Sequence, residues 1–189
     1  MGLVGLAICK TCRPASFAFS DCHPSVLREL RENVALNVPQ TELKQESAPD
    51  NEPAEGSGNS CPDAASHSPD ISVECIDWEM VDDEDIQKWN AGIILASDVV
   101  YDTRIIGPLV GLLNRLLHCQ GDGKGRPIAF IASTVRNEDT YKAFTTALEK
   151  HSICMEDVPP PSQRPLYYDH SCPIKLLCLK ADCESTADQ

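Results

Sequence analysis

Apolar and polar positions fall into blocks along this chain, and the period of the pattern changes from block to block. Residues 3 to 13 read as a helix that stops at Arg13-Pro14, because the residue before a proline is pushed out of helical backbone. Ala15 to Ser20 is a short apolar run of strand length. Pro24 opens a helix whose Leu27, Leu30 and Val34 recur on one face, and Asn37-Val38-Pro39 closes it. Ile71 to Ile76 alternates with the period of a strand, and Gly92 to Ala96 is nearly all apolar, as in a strand buried on both faces. A helix from about Thr103 to His118 turns Ile106, Leu109, Val110, Leu113, Leu116 and Leu117 toward a core. Pro127 to Ala132 is a further strand, and Asn137 caps a helix carrying Tyr141, Phe144 and Leu148. Ile153 to Met155 and Ile174 to Leu179 read as two closing strands paired antiparallel.

Strands alternating with helices predict an α/β fold, with a mostly parallel sheet covered by helices on both faces. One stretch breaks the alternation. Residues 38 to 70 hold five prolines, five serines, two glycines and almost no large apolar side chain. Such a segment cannot bury enough surface to offset its ordering entropy, so a disordered insertion is expected there. The expected organisation is therefore one domain in two parts, 1 to 37 and 71 to 180, around the 38 to 70 insertion, with a flexible tail over 181 to 189.

Charge narrows the partners. The net charge of −13 argues against nucleic acid, whose phosphates need a basic face. The insertion, with seven acids and one lysine, carries −6 of it. The remainder suits a solvated acidic exterior or a basic protein surface. No run reaches the roughly 18 apolar residues of a membrane span. MGLVGLAICK lacks the basic lead-in and cleavage site of a signal peptide, and Gly2 lacks the Ser or Thr that myristoylation favours. A soluble cytoplasmic protein, expected to be a monomer, is the reading. Of ten cysteines, Cys9, Cys75, Cys154 and Cys178 lie in apolar stretches, where a thiol behaves as a small hydrophobe. Cys9 and Cys12 form one CxxC on a predicted helix with no second CxxC to complete a zinc site, so reduced thiols and no metal are expected.

In parallel α/β sheets, ligands bind at the carboxyl ends of the strands. Three such ends here carry polar groups: Asp21, then Asp77-Trp78, then Ser97-Asp98 with Tyr101 beyond. An acid after one strand is the usual holder of a ribose, a tryptophan can lie flat on an adenine, and a small Ser97 admits a cofactor to the backbone. Together they suggest a nucleoside-cofactor site. Each also has a plainer reading: Asp21 as a cap for the Pro24 helix, Trp78 as core, and Asp98 as a cap for the helix starting near Thr103.

The stretches GLVGLAICKTCRP, FSDCHPSVLRELRENVALN, IDWE, ASDVVYD and FIASTVRNEDTYKAFTTALEK together resemble the family-16, seven-strand class of S-adenosylmethionine-dependent methyltransferases, most closely those acting on a lysine of elongation factor 2. Asp98-Val99-Val100-Tyr101 matches the DxxY motif shared across that family. The resemblance implies a Rossmann-like sheet of order 3-2-1-4-5-7-6 flanked by helices, with S-adenosylmethionine as cofactor and elongation factor 2 as protein substrate. It implies that Asp21 binds the ribose, that Trp78 with Asp77 meets the adenine, and that Ser97 lines the methionine side. Asp98 and Tyr101 would lie where the target lysine enters. It further implies that the first, central strand and its glycine loop are missing, with Gly2 standing at the loop's final glycine. Weak cofactor binding by this chain alone is the corresponding expectation.

Methyl transfer asks something definite of those residues. A lysine must be neutral to attack, and at pH 7 deprotonation costs about 4.6 kcal/mol. A carboxylate at Asp98 would favour the ammonium, so its expected task is to orient the lysine, with desolvation and the cofactor's positive sulfur favouring proton loss. Tyr101 would wall the channel and offer its ring to the ammonium. Two other readings stay open: a non-catalytic remnant that keeps a protein-binding surface, and a nucleotide-binding dehydrogenase, in which Asp98 and Tyr101 would have no evident role.

Overall fold

Two phenylalanines on alternate positions of one strand organise the first of two units. The computed structural model describes residues 1–38, 69–119, 125–159 and 171–181, and the chain divides into Met1–Asp77 and Trp78–Gln189.

In the first unit, β1 (Ser16–Asp21) and β2 (Asp70–Cys75) pair in parallel, from Ser16 opposite Asp70 to Asp21 opposite Cys75. Strand alternation puts Phe17, Phe19, Ile71 and Val73 on one face. The rings of Phe17 and Phe19 are 4.7 Å apart and tilted by 52°. Leu6 and Cys9 of α1 (Leu3–Cys12) pack on that face with Leu27, Leu30 and Val34 of α2 (Pro24–Asn37). Burying each such leucine contributes about 1.5–3 kcal/mol. The approach of α1 is tight enough to demand glycine: a Cβ on Gly5 would collide with the rings of Phe19 and Phe17. Pro24 occupies the first turn of α2, where its missing N–H costs nothing, and His23 Nδ1 accepts the Ser25 N–H as cap.

In the second unit the strand order is β3 (Ile93–Ser97), β4 (Ile128–Thr134), β6 (Ile174–Ala181), β5 (Ile153–Asp157). The β3–β4 pair is parallel, and β6 runs antiparallel to both its neighbours, so the expected antiparallel closing pair is present. Ala129, Ile131, Leu177 and Leu179 share one face, on which α4 (Thr103–His118) and α5 (Glu138–Lys150) pack with Val110, Leu117, Phe144 and Leu148 fully buried. The opposite face carries Ile93 and Leu95, both exposed.

The architecture is mixed α/β with flanking helices, as expected, and differs in two respects. The six strands form two sheets, and no strand among the described residues joins them. Their orders match the 3-2 and 4-5-7-6 portions of the implied sheet. The helices packed on each sheet lie on one of its faces. A seven-residue helix, α3 (Asp83–Trp89), also escaped the periodicity, because it buries Ile86 alone. Its signals are local: an Asp82 cap, three acids in the first turn and a left-handed Asn90 at its end.

Most of the expected 38 to 70 insertion lies outside the described residues. Its ends belong to ordered structure, with Val38 buried against the first core and Asp70 opening β2. The tail lies outside too, except for Ala181, which ends β6. Among the described residues no helix is long and apolar enough to cross a membrane.

Candidate functional site

The second unit builds its site where two parallel strands end. Asp98 follows β3 and continues the ladder, its N–H donating to Ala132 O at 2.8 Å. Its backbone then turns through φ +55°, a left-handed conformation that costs most residues roughly 1–2 kcal/mol and that aspartate tolerates better than most. That turn aims the carboxylate across to β4. Oδ1 accepts the Thr134 N–H at 2.9 Å, and Oδ2 accepts from Arg136 Nη2 at 3.1 Å. The Thr134 bond is the largest influence holding the carboxyl below its ordinary range, and Arg136 adds to it against the opposing effect of burial. Asp98 is therefore ionised at neutral pH.

Val100 buries into the main core and anchors the loop, which leaves Tyr101 67% exposed. Asp102 caps α4 by accepting the Arg104 N–H, and Asn137 caps α5 by accepting the N–H groups of Asp139 and Thr140. Between these caps lies a cleft of about 60 Å³ lined by Val100, Tyr101, Thr134, Arg136, Asn137 and Thr140. Its size suits the tip of an aliphatic side chain.

The alternative that Asp98 caps α4 is thus overturned: a cap sits immediately before its helix, and Asp102 takes that place. Ser97 is exposed at the end of β3. Trp78 is half-buried and packs against both apolar clusters of its unit, so part of its ring serves the core.

Gly2, Asp21 and Asp77 lie in the first unit. Asp21 ends β1, and its Oδ1 accepts the His23 N–H at 2.8 Å, which shapes the turn into α2 while His23 supplies the cap. Asp77 follows the end of β2, at the same rim as Asp21 by the parallel register. Gly2 caps α1 at φ +79°, left-handed backbone that favours glycine, and a Cβ there would stand 2.7 Å from Leu30 Cδ2, which would have to shift. Trp78, Ser97, Asp98 and Tyr101 lie in the second unit. Arg136 and Thr134 were not singled out as site residues. The only hint was a lone cation just after an apolar strand, inside FIASTVRN.

Comparison with known proteins adds three findings. A family model described as lysine methyltransferase matches residues 58–151. The chain is 38% identical over 178 residues to the protein-lysine N-methyltransferase EEF2KMT of Bos taurus, covering 94% of this chain and 50% of that protein. It is 34% identical to the Homo sapiens protein of the same name, covering 94% and 48%, and 37% identical over 155 residues to the putative protein N-methyltransferase FAM86B1 of Homo sapiens, covering 82% and 42%. The chain thus spans about half the length of the curated relatives it matches.

Proposed function

We propose that this chain is a member of the lysine methyltransferase family and acts in S-adenosylmethionine-dependent N-methylation of a lysine on elongation factor 2, in the cytoplasm. The name shared by its relatives and the motifs quoted above support that substrate.

The residues fit the cofactor's chemistry at several points. Asp21 keeps Oδ2 without a bond among the described residues, an acceptor suited to a ribose hydroxyl. Asp77 and Trp78 would meet the adenine, with Ser97 and Gly2 toward the methionine part. When bound, the cofactor would supply a methyl group on a positively charged sulfur.

The observation that carries the reading is the Asp98 carboxylate, held ionised at the end of a parallel strand beside a cleft that Tyr101 lines. An incoming lysine ammonium donates a charge-assisted hydrogen bond to it, which fixes the nitrogen's position. Alignment of that nitrogen is what such a site contributes to rate. Tyr101 walls the entry, and the departing proton leaves through water.

Transfer of labelled methyl groups to elongation factor 2 tests this. Wild-type chain incorporates label, and Asp98→Ala loses at least about 100-fold while keeping its circular dichroism. Binding of elongation factor 2 without any transfer would instead support the protein-binding remnant.

A further inference from the structure

The two oxygens of Asp98 are held differently. Oδ1 is tied to a backbone N–H of β4, which no ordinary side-chain exchange at Thr134 removes. Oδ2 accepts from Arg136, the Thr134 side chain adds a further hydrogen bond to the carboxylate, and both Asp98 and Arg136 are open to water, at 44% and 61% exposure. An ion pair that exposed is a poor structural staple. It is easily remade when another cation arrives, and Arg136 lines the same cleft as Tyr101.

Resting on the methyltransferase reading, we propose that Arg136 is a positioning residue: its guanidinium holds Asp98 Oδ2 before substrate enters, then remains beside it and sets a second positive charge against the incoming lysine ammonium. The physical need is plain. A bare carboxylate orients the lysine but also retains its proton, since an opposite charge favours the charged form. Arginine does not lose its own proton at any working pH, so its charge persistently offsets the carboxylate's. Asp98 keeps the hydrogen bond that places the nitrogen while its hold on the proton weakens. Other titratable groups on the surrounding elements are Tyr101 and Asp102 in the β3–α4 loop, the latter taken up by Arg104, and Glu138 and Asp139 in the first turn of α5.

The test uses the full chain as wild type, Arg136→Gln and Arg136→Lys. With elongation factor 2 as substrate, kcat rises with pH as the lysine loses its proton. In Arg136→Gln that rise moves up by about one pH unit, a tenfold loss at pH 7 with a smaller change in KM, and Arg136→Lys restores most of it. A merely structural role would scale kcat alike at every pH, and that result overturns the inference. Carbon-detected NMR titration of the Asp98 carboxyl reads the pair without catalysis: its midpoint rises in Arg136→Gln, and an unmoved midpoint overturns the pairing. If wild type transfers no methyl group, the functional reading fails and takes this inference with it. If wild type transfers and the variant's pH profile stays in place, the inference alone fails.

Discussion

Two aspartates end parallel strands in this molecule, one in each unit, and their surroundings diverge. Asp21 spends one oxygen on the N–H of His23, two residues ahead, within its own strand-to-helix turn. Asp98 reaches Thr134 and Arg136, on a strand and loop far along the chain, and adopts left-handed backbone to do so. The first acid is placed by local geometry and keeps an oxygen available. The second is placed by tertiary structure and is charged, oriented and partnered in advance. An acid after an apolar strand is therefore visible in the sequence in both cases, without any sign of what holds it there.

The largest expected effect concerns the cores beneath these turns. Phe144→Ala removes a fully buried ring and lowers stability by about 3–5 kcal/mol, read from denaturant midpoints. A much smaller loss would mean that the platform beneath the Asp98 loop is softer than its burial indicates. Next comes the comparison itself. Asp98→Ala gives up two non-local hydrogen bonds and leaves alanine in left-handed backbone, at a cost of about 1–2 kcal/mol. Asp21→Ala breaks a turn bond that water readily replaces, at about 0.5 kcal/mol. Equal losses at the two positions would erase the distinction.

The smallest effect is in pH. Because the folded state holds Asp98 below its unfolded pKa, its contribution to stability is complete above the unfolded value of about 3.9 and is lost as pH falls through the folded midpoint. Wild type should therefore exceed Asp98→Asn by more at pH 6 than at pH 2. After solvent screening of so exposed a group, the change is on the order of a few tenths of a kcal/mol. A gap that widens in acid would contradict the assigned sign.

How much could be read beforehand follows from the range of each interaction. The helix Thr103–His118 was legible at its observed bounds, since three- and four-residue spacing of Leu109, Val110, Leu113 and Leu117 is a local property. Asn137 was legible as a cap because its bonds run only two and three residues ahead. The strand β6 extends two residues past its expected end at Leu179, through Lys180 and the buried Ala181, because pairing with β4 and β5 carries it on. Gly2, which the family likeness assigns to the cofactor, is also favoured by its own left-handed backbone and by the close approach of Leu30, which no motif discloses.

The amino-acid sequence by itself determined the elements other than α3, their alternation and the chemical types gathered at the strand ends, because these follow from side-chain period, capping and backbone preference within a few residues. Tertiary structure alone decided that the strands form two sheets, that α4 and α5 share one face, and that Asp98 is paired with Arg136. Those outcomes depend on which distant groups come within hydrogen-bonding or packing distance, and a linear pattern carries no record of that.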